Sequence, residues 1–321
     1  MNKTKITIAR WLGPISSLYF KLKLRERKKS WGPENEDKTF YVIGSNNRNG
    51  GLWWLVNITL NHLNYADEKG YIPVVDYKNY WTQYTTRESY RKDNVWEYFF
   101  AQPGGYSLEQ ISKSKNIIIN KKDASPEDKY LMGHFYDDPP RIERFRYLFR
   151  KYIKFNEETR DYLDNLCNSV IGDKRTVGVL CRGTDYVMVK PKNHPIQPDT
   201  ETVIEDTRKV MKEYCCTHVF IATEDQDILD SFKTEFGECL LYLEQERLSK
   251  KGMGKDSWLA DEKKKHNIEQ NKRKAGLDYM AATYILSRCT CYIGGRTGGS
   301  KGVLIMTKGF EFEKTYNLGL Y

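Results

Sequence analysis

Short apolar runs alternate with longer amphipathic segments in the first half of the chain. Residues 39–43 (TFYVI) and 71–76 (YIPVVD) have the composition of buried strands. Between them, residues 52–69 place leucine and valine side chains on one face at helical spacing, directly after a polar turn that ends in Gly50-Gly51. The order strand, glycine-rich turn, helix, strand predicts a Rossmann-like opening.

The remainder of the first half carries a weaker pattern. Residues 116–120 (NIIIN) predict one more strand, and amphipathic spacing near 140–154 and 156–170 predicts two helices. Residues 80–100 are rich in aromatic side chains and have no clear period. We interpret most of these rings as core residues, with some available to stack on a sugar.

The strand–helix alternation begins again after residues 172–175 (GDKR), which we take as the domain boundary. The predicted strands of the second half are 176–181, 218–223, 239–244 and 289–295, and helices are predicted after Asp199, Asp225, Ala275 and Thr297. The fold class predicted is therefore α/β, with two Rossmann-like domains, 1–171 and 172–321, facing each other across a cleft.

The length of 321 residues suits two domains, and 39% hydrophobic with 30% charged residues is typical of a soluble globular protein. No apolar run is long enough for a transmembrane helix. Near the N-terminus the basic run 21–29 follows the short apolar segment 11–20, which is the reverse of a signal peptide. This N-terminal segment predicts either a basic arm in peripheral contact with anionic lipid or an ordinary extension of the chain.

The cysteine content indicates where the protein is located, and the net charge indicates which partners suit it. The seven cysteines include no Cys-x-x-Cys pair, which predicts reduced thiols, no zinc site and a cytoplasmic location. The net charge of +9 and the lysine clusters at 250–255 and 263–274 suit acidic partners such as nucleic acid, phosphorylated small molecules or a membrane surface. No nucleic-acid-binding motif accompanies the charge, so we expect no nucleic acid partner.

Three polar loops follow predicted strands of the second half. They are residues 182–186 (RGTDY), 223–225 (TED) and 294–300 (GGRTGGS). Because the carboxyl ends of parallel strands meet at one edge of a sheet, we expect these loops to converge. The third loop is rich in glycine and enters a helix, so its backbone N–H groups would suit a phosphate, and Arg182 or Arg296 would neutralise a diphosphate.

Several acidic residues have both a structural and a functional interpretation. Asp278 would either stabilise the first turn of its helix or accept hydrogen bonds from a purine. Glu224 and Asp225 would either cap the following helix or meet sugar hydroxyls. The glycine loop lacks the Gly-Lys-Ser/Thr order of a Walker motif, and the chain lacks the Gly-x-Gly-x-x-Gly fingerprint, which disfavours a dinucleotide oxidoreductase.

The order of these motifs resembles the metal-independent GDP-fucosyltransferases with the GT-B fold, most closely the α1,6 group. The signature His-x-Arg-x-x-Asp of that group is similar to residues 180–185 (LCRGTD), with Leu180 in the histidine place. Its later His-Pro-Ile, Ala-Thr-Asp-Asp and Leu-Asp motifs resemble residues 194–196, 222–225 and 277–278.

The resemblance implies a GDP-sugar donor, GDP-fucose in the first place, and an inverting reaction with no metal or other cofactor. The implied donor-binding residues are Arg182, Tyr186, His194, Glu224, Asp225, Asp278, Arg296, Thr297, Gly298, Gly299, Ser300, Gly50 and Gly51. The implied catalytic set is Arg182, Asp185 and Lys190, of which Lys190 occupies the position of a proposed catalytic glutamate. Since a lysine ammonium is protonated at neutral pH, the base is left open between Asp185, Glu224 and another residue.

The acceptor predicted for such an enzyme is an oligosaccharide or a lipid-linked glycan, bound by the first domain. Two alternatives stay open at this point. The donor would be another nucleotide sugar such as GDP-mannose, or the chain would be a basic nucleic-acid-binding protein.

Overall fold

The computed structural model describes residues 27–45, 50–120, 132–183, 189–247, 249 and 271–321. Its first sheet has four strands in the order β1-β4-β2-β3. These strands are β1 (Arg27–Lys29), β2 (Glu34–Ile43), β3 (Ile72–Val75) and β4 (Ser114–Asn120). β2 pairs in parallel with both β3 and β4, whereas β1 is antiparallel to β4.

Helix α1 (Leu52–Lys69) connects β2 to β3 and has the predicted bounds. Gly51 is its N-cap, and Gly70 ends it in the left-handed conformation with φ of 68°. The face that carries Leu52, Val56, Leu60 and Leu63 is buried, as the sequence pattern predicts. The long apolar stripe and the two flanking glycines together define this helix.

Two further helices complete the first half. They are α2 (Pro139–Tyr152) and α3 (Glu157–Val170), with side-chain N-caps from Asp138 and Asn156. Short 3-10 helices occupy Val95–Tyr98 and Met132–Asp137. The aromatic segment 80–100 is largely core, because Tyr84, Trp96, Phe99 and Phe100 are all buried.

The second sheet has five parallel strands in the order β7-β6-β5-β8-β9. Its elements are β5 (Thr176–Leu180), α4 (Thr200–Glu213), β6 (His218–Ala222), α5 (Gln226–Phe236), β7 (Leu240–Leu241), α6 (Lys272–Leu286), β8 (Cys291–Gly295), α7 (Gly298–Met306) and β9 (Phe312–Tyr316). The order reverses between β5 and β8. In an open α/β sheet this switch point is where ligands bind, outside the carboxyl ends of the strands.

Four details differ from the sequence prediction. Part of the predicted basic arm is strand β1, since Arg27–Lys29 pair with Ile117–Ile119. β9 was not predicted, and β7 has only two residues. Helix α6 begins at Lys272, ahead of the helix start predicted after Ala275, so Asp278 lies in its second turn and not in its first.

The helices of the two halves pack on one another through a shared core. Trp53 of α1 is buried, and its indole N–H donates to Thr283 Oγ1 of α6 at 3.0 Å. A Cβ added to Gly302 of α7 would lie 2.3 Å from the Trp53 ring, so glycine is required for this contact. The domain boundary at 171/172 stays a prediction, although the two sheets lie on either side of it in sequence.

Among the described residues, no helix is long and apolar enough to cross a membrane. The cysteines of the described residues are free, and five of the seven are buried. Cys291 in β8 is fully buried.

Candidate functional site

The loops that follow β5, β6 and β8 meet at the carboxyl edge of the second sheet. In the β5–β8 register Leu180 is opposite Gly294, so Arg182 and Arg296 each lie two residues beyond a paired position. β6 is the other neighbour of β5, with Leu180 opposite Ala222, which brings Glu224 to the same edge. The described residues of the three loops, Arg182 and Gly183 in the first of them, therefore lie at one edge of the sheet, as the sequence predicts.

Arg182 and Glu224 form an ion pair at this edge. The Arg182 Nε lies 3.3 Å from Glu224 Oε1, and the two side chains are 24% and 23% exposed. A guanidinium has five N–H donors in a planar fork, so one carboxylate does not exhaust it. The pair therefore orients Arg182 at the edge of the sheet.

Asp225 has a different environment from Glu224. Its carboxylate is fully buried, and Oδ1 accepts from the backbone N–H groups of Asp227 and Ile228 at 2.9 and 3.3 Å. A Cβ added to Gly183 would lie 2.5 Å from Asp225 Oδ2. Asp225 is thus the N-cap of α5 and packs behind the loop that carries Arg182.

The Gly294–Ser300 loop is mostly buried, with its hydroxyls turned inward and Gly298 as its exposed residue. Thr297 is the N-cap of α7, and its Oγ1 accepts from Ser300 N at 3.3 Å. The Ser300 hydroxyl is buried and donates to the Gly295 carbonyl. Gly298 at the start of α7 is exposed, so the positive end of the helix dipole reaches the surface at this residue, whereas the Ser300 N–H is capped by Thr297. Such a helix terminus suits an anion.

Arg296 pairs with a residue of the first half. Its Nη1 and Nη2 donate to the two carboxylate oxygens of Asp137 at 2.8 and 2.6 Å, and its guanidinium lies over the Tyr136 ring at 5.2 Å. The side chain is 12% exposed. The sequence predicts Arg296 as an alternative diphosphate ligand, but here it links the two halves through a neutralised pair.

The N-terminus of α1 lies beside the N-terminus of α7. A Cβ added to Gly298 would lie 3.7 Å from Trp53 Cβ in the first turn of α1. A Cβ added to Gly50 would lie 2.2 Å from the Trp54 ring, so the turn before α1 also requires close approach. Two helix N-termini, one from each half, therefore meet at the predicted glycine turns.

Helix α6 flanks the same loop. A Cβ added to Gly299 would lie 2.8 Å from the hydroxyl of Tyr279, which leaves room only for glycine. Asp278, one residue earlier, forms an i,i+4 pair with Lys274 at 2.5 Å and is 27% exposed. The Lys274 contact uses Asp278 Oδ2. Sequence reasoning did not identify Tyr279, because an aromatic residue in an apolar helix pattern is typical of core.

Burial shifts the pKa values of two side chains, Lys301 and Tyr136, beside the N-terminal part of α7. Burial and then the nearby Arg141 charge lower the pKa of Lys301 to about 8, and burial raises the pKa of Tyr136 well above its usual range. The Tyr136 hydroxyl donates to the Thr297 carbonyl. The body of α7 is therefore in a low-dielectric surrounding, and its Gly298 end is the part that water reaches.

The loop with Lys190 and His194 is tied to the C-terminal residues. Asn193 N donates to the Tyr321 carbonyl at 3.1 Å, and Tyr321 N donates to the His194 carbonyl at 3.0 Å. Lys190 is exposed and has a φ of 46°. His194 Nδ1 lies 3.1 Å from the Lys192 carbonyl oxygen. No sequence signal indicates this pairing, because its partners are more than 120 residues apart.

Two predicted site residues, Asp185 and Tyr186, lie outside the described residues. Among those that are described, no group of three or more His, Cys, Asp or Glu side chains could hold a metal ion. The Asp225-x-Asp227 sequence in particular begins a helix, as predicted.

Comparison with known proteins gives a fold relationship. No protein-family model matches the chain, and no curated protein matches its sequence. Among solved structures, apo POFUT1 has a TM-score of 0.52 at 10% identity, covering 89% of this chain and 99% of that one. POFUT1 in complex with GDP-fucose gives 0.49 at 10% identity, over 89% and 99% of the two chains. Fucosyltransferase NodZ from Bradyrhizobium gives 0.45 at 14% identity, over 84% and 94%. The likeness to apo POFUT1 confirms the predicted α/β fold of GT-B type.

Proposed function

We propose that this protein is an inverting glycosyltransferase that transfers a sugar, fucose in the first place, from a GDP-sugar to a glycan without a metal. The observation that carries the proposal is the position of Arg182 and the α7 N-terminus on either side of the β5–β8 switch point. A cationic fork and a helix N-terminus at that point form a site for a diphosphate.

The donor diphosphate would lie against the exposed Gly298 end of α7, within reach of Arg182. Thr297 and Ser300 would act mainly by fixing the loop, because their hydroxyls already bond within it. Glu224 would orient Arg182, and Asp225 would support Gly183 from behind. The Gly50-Gly51 turn would approach the diphosphate from the first half.

Asp278 would recognise the guanine base. A guanine presents two adjacent donors, its ring N–H and its amino group, and a carboxylate accepts both. Within the described residues Lys274 bonds only Oδ2 of Asp278, so Oδ1 accepts no hydrogen bond from them. A base seated there would lie on the α6 side of the glycine loop.

In the proposed reaction an acceptor hydroxyl oxygen forms a bond to the anomeric carbon while the bond from that carbon to the β-phosphate oxygen breaks. GDP leaves with the electron pair, and positive groups at the switch point stabilise its growing charge. The hydroxyl proton passes to a base. Between Arg182 and His194 the sequence contains a single carboxylate, Asp185, and we assign the base to it. Lys190 would be protonated and therefore unable to accept this proton.

The choice of GDP-fucose over GDP-mannose rests on the motif resemblance and on the fold relationship to POFUT1, a protein that has been crystallised with GDP-fucose. The acceptor would be an oligosaccharide or lipid-linked glycan at the cytoplasmic face of a membrane, which the basic residues near the N-terminus would contact. The mixed acidic and basic composition of the lysine-rich runs supports this over a nucleic acid partner.

The test is release of the nucleoside diphosphate, GDP from GDP-fucose or GDP-mannose and UDP from UDP-glucose, followed by ³¹P NMR with water or added glycans as acceptor. We expect turnover of a GDP-sugar that persists in EDTA and falls roughly 10²–10³-fold in Arg182→Ala. Arg208→Ala is the matched control, because Arg208 forms an ion pair with Glu235 away from the site. Equal rates in both variants, or turnover that requires a metal, would overturn the proposal.

A further inference from the structure

A second concave site lies in the first half, beside the end of β3. It is a cavity of about 320 Å³, within the range of small-molecule sites. Its lining residues are Lys78, Lys92, Asp93, Asn94, Glu97, Tyr98, Leu108 and Glu109. None of them belongs to the site at the β5–β8 switch point.

The cavity contains polar atoms with unused hydrogen-bonding capacity. Glu97 Oε1 accepts from Asn94 and Gln102, and Asp93 Oδ2 accepts from the Tyr98 hydroxyl. Within the described part of the chain, Glu97 Oε2 and Asp93 Oδ1 accept no hydrogen bond. Lys92 likewise forms no ion pair there. Two acceptors and one ammonium donor are thus available to a ligand.

The charges of the lining disfavour an ionic or apolar ligand. Three carboxylates and two ammonium groups give a formal charge of −1, and Lys78 and Glu109 already neutralise each other at 3.0 Å. This balance offers no field for a nucleotide or phosphate. Leu108 and the Tyr98 ring are the main apolar groups, too few for a hydrophobic ligand. The match is a neutral molecule with several hydroxyl groups.

One wall of the cavity is held rigidly. The Tyr98 hydroxyl bonds Asp93 at 3.0 Å, and the Arg273 guanidinium lies 5.7 Å from the Tyr98 ring centre. Arg273 is in the first turn of α6, and Asp278 is one and a half turns further along the same helix. The N-terminal part of α6 therefore contributes Arg273 beside the cavity and Asp278 to the proposed donor site.

We propose that this cavity binds a saccharide and is a subsite for the acceptor glycan, remote from the hydroxyl that reacts. The inference rests on the proposed glycosyl transfer for its biological role, but not for the binding itself. Carboxylates accept from sugar hydroxyls, Lys92 donates to them, and an aromatic wall such as Tyr98 suits the C–H face of a pyranose.

The experiment uses saturation-transfer NMR on the full chain with methyl glycosides of glucose, galactose, mannose and N-acetylglucosamine as probes. We expect at least one probe to bind the wild type, with affinity about tenfold lower in Asp93→Asn/Glu97→Gln, which removes two charged acceptors. Glu205→Gln, an exposed carboxylate on α4, is the matched control and should bind as the wild type does. Lys92→Gln is a second, exposed test site should the double variant unfold.

GDP addition separates this inference from the proposed function. The saccharide signal should persist in saturating GDP, since the two sites share no residue. Absence of binding by all four probes, undiminished binding in both cavity variants, or displacement by GDP would overturn the inference. A protein that binds GDP and no glycoside would refute only the cavity. A protein that binds a glycoside and no GDP would refute only the donor site.

Discussion

At the residue scale, the proposed donor site depends on which of two adjacent acidic side chains pairs with Arg182. Glu224 is partly exposed and pairs with Arg182, whereas Asp225 is fully buried and caps α5. The sequence predicts both as possible ligands because the pattern Thr-Glu-Asp before a helix serves a cap and a binding site equally well. The direction in which each side chain points is set by the strand end and by packing against Gly183, which sequence alone does not specify.

Asp278 provides the residue-scale prediction. Asp278→Asn replaces a carboxylate that would accept two guanine donors with an amide that accepts through one oxygen only. A charged hydrogen bond contributes about 1.5–3 kcal/mol, so we expect the dissociation constant for GDP to rise roughly 10–100-fold. Titration calorimetry with GDP and CDP measures this. The control is Glu246→Gln, because the charge of Glu246 also acts on Lys274 and raises its pKa, but Glu246 lies outside helix α6. Unchanged GDP affinity in Asp278→Asn would place the base elsewhere.

At the element scale, the packing of α1 on α7, where Trp53 contacts Gly302, determines how the two helix N-termini meet. The sequence predicted the bounds of α1 because a long apolar stripe ends at a glycine on each side. It did not predict β1 or β9, since each is short and polar and is stabilised by pairing with a distant strand. Local pattern therefore identifies elements that bury a face of their own and misses edge strands.

Gly302→Ala tests the packing of α1 on α7. A helix interior normally gains roughly 0.5–1 kcal/mol from Gly to Ala. Here the new Cβ would lie 2.3 Å from the buried Trp53 ring, so we expect a net loss of about 1–3 kcal/mol in the free energy of unfolding. Gly298→Ala is the control, because its Cβ meets its nearest atom at 3.7 Å. Chemical denaturation of both variants gives the comparison, and a stabilised Gly302→Ala would contradict this packing.

Asp67 joins α1 to α2 and gives a prediction for pH dependence. Burial opposes its ionisation, but hydrogen bonds from Lys151, Tyr152 and Arg144 outweigh burial and lower the pKa of Asp67 to about 2. A lowered carboxyl pKa stabilises the folded state above the unfolded value of 3.8, and this contribution is lost as the pH falls toward 2.

The corresponding measurement is urea denaturation of the wild type and Asp67→Asn at pH 7 and pH 3. We expect the variant to be less stable by about 1–2 kcal/mol at pH 7, with roughly half of that difference gone at pH 3. Asp161→Asn, an exposed position on α3, should show no such change. If the loss of stability in Asp67→Asn were the same at pH 7 and pH 3, the ion pairs would not lower the pKa of Asp67.

At the scale of the whole molecule, the fold brings two polar turns that are far apart in sequence to one place. Gly50-Gly51 and residues 294–300 meet because α1 packs on α7 and because the β5–β8 switch point lies beneath them. The alternation of strands and helices was sufficient to predict the α/β architecture. It could not predict how closely the halves pack, since the Arg296–Asp137 pair and the Trp53 contacts join residues more than 150 positions apart.

The measurement that tests the central claim most directly is a thermal-shift panel with GDP, UDP, CDP, GDP-fucose and GDP-mannose, each in EDTA, on wild type and Arg182→Ala. A ligand at 100 times its dissociation constant adds about 2.7 kcal/mol of stability, which is readily visible. The donor site described above predicts a rise in Tm with the guanine nucleotides that persists in EDTA and disappears in Arg182→Ala. A folded wild-type protein whose Tm responds to no guanine nucleotide would contradict it.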